Sequence, residues 1–441
     1  MAQTNKLQIV KYAPPPSELP VYGGSSTAEV SFIGRTNYVA ALEEKKFVFG
    51  IKRADRRRHL YIIGKSGVGK SKLQELLIRQ DIAYGHGVCI IDPHGDIIED
   101  ILNFIPEKRL ADVCLIDPTD TAFPVSFNPF HRIDPEFKHQ FTQNFVELLQ
   151  AQFKAAWTPR LEHVLRFTVL ALLDYPEATL SGIVQMLTDE TYRQLVTGHS
   201  MDEMVRRFWH IEFKEWAEKN NTDTIIPIIN KLTQFFSSSA LRNIFSQHEN
   251  KIDFEMLMNE KKIVLINLAQ EKIGEENASF LGSMILSKIK EAGMNRARIG
   301  RDKAVDFYLY LDEFENIITE SFDSFLASSR KYGINLTLAH QYLAQLSKSI
   351  QHAVLSNAGS LVVFRVGGED ATILKPEFAP LFDVKDMINL AIGEFYIKMA
   401  IDGESYDPFS AETLKVLPAP YPSIKERVLE ESRKKYSVPL A

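Results

Sequence analysis

The 441 residues exceed what one compact domain normally holds, so two or more lobes are expected. With 45% hydrophobic and 24% charged residues and a formal net charge of −6, the chain reads as a folded protein whose surface is not basic throughout; nucleic acid would have to sit in a local groove or ring lumen, where a few cations suffice. The two cysteines, Cys89 and Cys114, lie in apolar runs and give no disulfide framework or thiolate metal site, and no apolar stretch suits a signal peptide or a membrane span, so a cytoplasmic protein is expected.

In chain order, residues 1–25 contain "APPPSELPVYGGSS" and read as a flexible Pro/Gly/Ser-rich arm with nothing to bury. From about residue 57 short apolar runs follow one another: "HLYIIG", "GVCIID", "DVCLID", "KIVLINLA", "DFYLYLDE", "INLTLAH", "SLVVFRV" and "EFYIKMAI". They lack strict alternation, as strands covered on both faces do, and several are separated by helix-like segments such as "SKLQELLIRQDIAYG". That order predicts an α/β fold, a doubly wound and mainly parallel sheet spanning 26–133 and 256–415. Over 134–255 the strands vanish and apolar residues recur at helical spacing, which predicts an all-α subdomain inserted between the third and fourth strands. Residues 416–441 form a proline-marked tail with a short charged helix, expected to be solvated rather than docked on a neighbour.

"LYIIGKSGVGKS" fits G-x-x-x-x-G-K-[ST] directly after a strand and before a helix. In that context Gly64, Lys65, Ser66, Gly67, Val68 and Gly69 form a phosphate cradle, the glycines sparing room for backbone N–H groups to wrap phosphate oxygens. Lys70 reaches the β and γ phosphates of ATP, and Ser71 offers its hydroxyl to Mg²⁺. A P-loop needs a second, acidic strand, and "DFYLYLDEFENI" supplies it: Asp312 suits the Mg²⁺ shell, and Glu313 is placed to orient the attacking water. A parallel core strand "INLTLA" would deliver Gln341 to the same edge, where an amide distinguishes ATP from ADP. Arg330 precedes that strand and belongs to the opposite edge, too far to serve its own nucleotide but suited to enter a neighbouring subunit's site.

Other signals are weaker. "DPHGD" puts Asp92 at the ligand edge, although turn chemistry alone accounts for most of the motif. "KRADRRRH" at 52–59 is the densest basic cluster and reads as a solvated face, with DNA phosphates or an adjacent subunit's ATP as the alternative. Arg160 is either a subunit-interface cation or a partner of Glu162 or another acid. Trp157, Trp209 and Trp216 sit in helical segments and are read as core or interface. The loop with Lys272 and the stretch "ENIITESFDSF" are the candidate channel loops, without the interleaved cations and aromatics of a clear DNA site.

Together these motifs resemble the HerA/FtsK superfamily of ring-forming DNA motors, and within it the type IV secretion coupling proteins, the conjugative DNA-transfer ATPases. The likeness spans roughly 50–415 and rests on "RRRHLYIIGKSGVGKS", "CIIDPHGDIIEDIL", "WTPRLEHVLRFTVLALL", "LYLDEFENI" and "SSRKYGINLTLAHQYLAQL", with "FNPF" adding little. It implies a RecA-like motor carrying an all-α domain, assembled as a hexamer around DNA and pumping it at the expense of ATP. It also implies Lys70 and Ser71 as phosphate and Mg²⁺ contacts, Asp312 and Glu313 as the acidic pair, Gln341 as sensor and Arg330 as a finger in trans, and it raises Asp92 or His94 to a supporting role near the nucleotide. A relaxase or type IV secretion components are the partners it suggests. Many coupling proteins begin with transmembrane helices; none is read here, so attachment to the inner face of a membrane is expected only through partners. A soluble HerA-like translocase, a protein-export or pilus-assembly ATPase, and a non-hydrolysing ATP-dependent scaffold are the competing readings.

Overall fold

The computed structural model describes residues 10–38, 46–131, 133–153, 156–218, 225–300 and 304–439. Its strands, in chain order, are β1 (Val30–Thr36), β2 (Val48–Lys52), β3 (Leu60–Ile63), β4 (Gly87–Asp92), β5 (Val113–Ile116) and β6 (Ile263–Asn267), followed by β7 (Phe307–Asp312), β8 (Ile334–His340), β9 (Ser360–Val363), β10 (Glu394–Ile401), β11 (Glu404–Ser405) and β12 (Phe409–Thr413). They form one 12-stranded sheet in the order β2-β1-β12-β10-β9-β3-β8-β7-β4-β6-β5, with β11 paired to β10. All pairings from β9 to β5 are parallel, whereas β10, β12, β1 and β2 continue the sheet as an antiparallel wing. The eight apolar runs are all strands, and the fold is RecA-like α/β with a mostly parallel sheet.

The parallel strands are covered on both faces, which is why their sequences do not alternate. Along β7, Phe307, Leu309 and Leu311 join one core, and Tyr308 and Tyr310 join the other. The first core is closed by helices including Lys138–Phe153, Pro159–Leu172 and Glu275–Asn295; the second by Lys70–Ala83 and Asp96–Leu102. Between β5 and β6 the described residues hold helices and no strand of the sheet. Cys89 and Cys114 are buried free thiols.

Several expectations are corrected. Residues 1–9 of the expected arm lie outside the described residues, but residues 10–25 are anchored to the sheet: Ala13 and Leu19 are buried, Ala13 N donates to Ser410 Oγ (3.1 Å), and Gly50 N donates to Pro20 O (3.0 Å). The tail helix Lys425–Tyr436 is not solvated on all sides. It lies along the outer strand β5, buries Val428, Ser432 and Tyr436, and Ser432 Oγ accepts the β5 N–H of Leu115 (2.8 Å). An edge strand is thereby covered.

The basic cluster is not a solvated face either. Arg53 and Arg56 are buried on Asp81 at the end of the helix Lys70–Ala83; Arg56 Nη1 donates to Asp81 Oδ1 and Oδ2 (2.8 and 3.0 Å), and Arg56 Nη2 donates to Tyr310 OH (2.7 Å). Arg57 pairs with Asp306 (2.8 Å), and Arg58 donates to the Gly403 carbonyl (2.6 Å). Asp81 is fully buried, which would favour its neutral form, yet the two guanidiniums hold it below the usual carboxylate range. The cluster locks the approach to β3 onto the helix that follows the P-loop.

Candidate active site

In a parallel sheet the chain leaves each strand at the same edge, so the ends of β3, β4, β7 and β8 converge. Their register sets the levels: Ile63 faces His340, and Asp312 faces Ala339. Beyond those positions come the P-loop, Glu313 and Gln341. They line one cavity of about 1080 Å³, together with Lys70, Ser71 and Asp92.

The P-loop runs from β3 into the helix Lys70–Ala83, and Gly67 and Gly69 sit at φ 74° and 121°, conformations that suit glycine. Gly64 answers to a different constraint from the phosphate clearance expected of it: a Cβ there would stand 2.6 Å from the Cβ of Phe364, just past β9. Lys70 is buried and donates from Nζ to the carbonyls of Gly64 (2.7 Å) and Lys65 (3.0 Å). Burial lowers its pKa against the pull of Asp312, Glu313 and Glu315. Ser71 is exposed toward the cavity.

Asp312 ends β7 almost fully buried, and burial together with Asp92 and Glu313 pushes its pKa up to about 6, against Lys70. Such a carboxyl is short of positive charge, and a divalent cation beside Ser71 would supply it. Among the described residues no group of three or more His, Cys, Asp or Glu could hold a metal; a Mg²⁺ that takes most of its oxygens from phosphate and water needs none. Donor chemistry and local charge therefore fit Mg²⁺.

Glu313 sits at φ 43°, a left-handed backbone costing a non-glycine residue about 1 kcal/mol or more. Its carboxylate is clamped: Gln341 Nε2 donates to Oε1 (2.6 Å), and His94 Nε2 lies 3.1 Å from Oε2. Burial alone would lower the His94 pKa, but Glu313, Asp92 and Glu271 raise it overall. Asp92 caps the helix Asp96–Leu102, accepting the N–H groups of Ile97 (2.8 Å) and Ile98 (3.3 Å), and burial raises its pKa. The motif "DPHGD" is thus a helix cap that also brings His94 to Glu313.

Arg330 is exposed in the 3₁₀ turn Ser329–Tyr332 ahead of β8, at the edge opposite the P-loop and close enough to His59 to lower its pKa, after burial. It does not line the cavity. Arg160 stacks over Trp216 (4.3 Å to the ring centroid), while Glu162 pairs with Arg166. Trp209 is buried, and Trp157 and Trp216 pack against the core.

Sequence reasoning missed Glu315. Both of its carboxylate oxygens are buried with no hydrogen-bond partner in another residue, and burial, with Glu313 and Asp312, pushes its pKa up to about 7. Alternating loop acids give no sign of this; the burial comes from the fold around the end of β7. Also missed was the neutral, buried His340, pushed down to about 3 by burial and Lys70, whose Nδ1 lies 3.1 Å from Tyr61 OH.

A glycine-rich turn between the core strand β3 and a helix, with acids at the end of β7, one strand removed in the same parallel sheet, defines a RecA-like P-loop ATPase. The model of the family described as type IV secretory system conjugative DNA transfer matches residues 28–375, and the chain belongs to that family. Among solved structures, the plasmid coupling protein TrwB in complex with the GTP analogue GDPNP is similar at TM-score 0.61 and 13% identity, covering 94% of this chain and 99% of that one. TrwB in complex with ADP and Mg²⁺ is similar at TM-score 0.59 and 14% identity, with 85% and 89% covered. VirB4 of Thermoanaerobacter pseudethanolicus follows at TM-score 0.56 and 16% identity, with 84% and 91% covered. At these identities the likeness is one of fold. No curated protein sequence matches the chain. No helix among the described residues is long and apolar enough to cross a membrane.

Proposed function

We propose that the chain is an ATP-driven DNA translocase of the coupling-protein type, hydrolysing ATP at the subunit interfaces of a hexameric ring whose lumen carries DNA. The observation that supports it most is the clamped Glu313, aligned by Gln341 and His94 in the same cavity as the P-loop. The P-loop N–H groups and Lys70 bind the β and γ phosphates, Lys70 exchanging its bonds to the Gly64 and Lys65 carbonyls for phosphate oxygens. Ser71 and Asp312 would hold Mg²⁺, which when bound neutralises phosphate charge. Glu313 orients and polarises water for in-line attack on the γ-phosphorus, and Gln341, bonded to Glu313, registers whether the γ-phosphate is present. Arg330, at the opposite edge, is assigned to the neighbouring subunit's site, where its guanidinium would stabilise transition-state charge. The helices of 134–255 are assigned to one all-α domain on this motor, and recruitment to a membrane or to a relaxase is assigned to partner proteins.

ATP turnover with and without DNA tests the reading. Glu313→Gln should keep ATP binding and lose roughly 10²–10⁴-fold in turnover, and Lys70→Ala should lose both. DNA should stimulate the wild-type protein. Undiminished turnover in either variant would remove the catalytic assignment, and indifference to DNA would favour a polypeptide cargo.

A further inference from the structure

The cavity that contains the P-loop has a second wall that the chemistry above does not use, made by Ile392, Gly393 and the segment Thr413–Pro418. This wall is fixed to the phosphate cradle through its backbone. Gly393 N donates to the carbonyl of Val68 within the P-loop (3.0 Å), and Thr413 N donates to the carbonyl of Gly393 (2.8 Å). The far end is tied down as well. Arg79, on the helix that follows the P-loop, donates from Nη1 to the Leu417 carbonyl (2.7 Å), and it pairs with Glu75 one turn back. Its guanidinium lies over the ring of Phe104, 4.8 Å from the centroid. The wall is therefore placed by the same elements that place the cradle.

On this anchored backbone stand two aliphatic side chains left in water: Ile392 is 72% exposed and Leu417 is 73% exposed. One exposed aliphatic residue is ordinary. Two that line the same cavity as a phosphate cradle provide the apolar surface that the acidic side of the site lacks. Asp92, Asp312 and Glu313 are assigned to the γ-phosphate and metal, which leaves the nucleoside of a bound triphosphate to the wall of Ile392 and Leu417, whose aliphatic side chains stand among the charged groups Lys72, Glu75, Arg79 and Asp100 of the same cavity. A nucleobase offers flat faces of low polarity, and ligand pockets meet such rings with apolar side chains on preformed backbone.

We propose that Ile392 and Leu417 form a clamp for the nucleobase of the bound nucleoside triphosphate, an inference that rests on Gly64–Ser71 being the phosphate cradle. The clamp is built by the antiparallel wing and the segment after β12, so base recognition and phosphate chemistry come from different parts of the sheet.

The test is equilibrium binding of Mg·ATP and of inorganic tripolyphosphate to the full chain, for wild type, Ile392→Ser and Leu417→Ser. Each variant should weaken ATP roughly tenfold, the loss expected for one aliphatic contact, while tripolyphosphate binds as it does to wild type. Leu417→Met should retain ATP affinity, and all variants should keep the wild-type melting temperature because both side chains are exposed. Unchanged ATP affinity in the serine variants, alongside normal tripolyphosphate binding, overturns the clamp. So does equal weakening of both ligands, which would make the wall a support for the cradle, and so does altered self-association without altered ATP binding. If tripolyphosphate fails to bind the wild-type chain, the cradle assignment fails and takes the clamp with it.

Discussion

Glu313 and Glu315 stand two residues apart and differ in their partners. Glu313 has partners on both oxygens, Gln341 and His94, whereas Glu315 is a half-buried residue whose two carboxylate oxygens are buried with no partner in another residue, and burial pushes its pKa up to about 7. The ordinary value for its carboxyl is 4.5, so between that pH and about 7 the folded chain holds a proton that the unfolded chain releases. Stability contributed by the neutral form is complete below pH 4.5 and is lost as pH rises through 7. Glu315→Gln should therefore leave stability unchanged near pH 4.5 and raise it by about 2–3 kcal/mol at pH 8, read from urea unfolding at the two pH values. Equal effects at both would show that the carboxyl is not buried neutral. The sequence made Asp312 and Glu313 legible because an apolar run followed by acids is a local pattern. It did not make the Gln341–Glu313 bond or the His94 contact legible as geometry, since each depends on the register of strands far apart in sequence.

At the scale of elements, the parallel strands and β10 announced themselves by apolar runs, whereas β1, β2 and β12, the rest of the antiparallel wing, did not. β1 pairs with β12 across the whole length of the domain, and both are short runs with polar interruptions, so nothing local marks them as sheet. The basic cluster misled for the same reason: a run of cations looks solvated until Asp81 is brought to it by the P-loop helix. That network makes a prediction. Arg56→Met leaves Asp81 buried with only Arg53 as an ionic partner and should cost about 3 kcal/mol in denaturant unfolding, near the low end for a broken buried pair. A cost below 1 kcal/mol would mean that the pair is solvated. The arm and the tail were misread as free because Pro-rich and charged compositions describe what a segment can bury, not what edge is waiting for it; Ser432 meets an N–H of β5, and Ala13 meets Ser410.

For the whole molecule, the parallel sheet separates two edges. The P-loop, Asp312, Glu313 and Gln341 gather at one, and Arg330 stands at the other. A chain built this way cannot bring its own Arg330 to its own phosphates without dismantling β8, but in the proposed head-to-tail ring each copy would present its Arg330 edge to the next cradle. That shared site is the central claim. Co-expressing Lys70→Ala and Arg330→Ala chains and measuring DNA-stimulated ATP turnover tests it directly. Each variant alone should be silent, while random mixing restores both an intact cradle and an intact guanidinium at about a quarter of the interfaces and should return turnover on that order. A mixture as silent as its parents, or Arg330→Ala chains as active as wild type, would contradict the account.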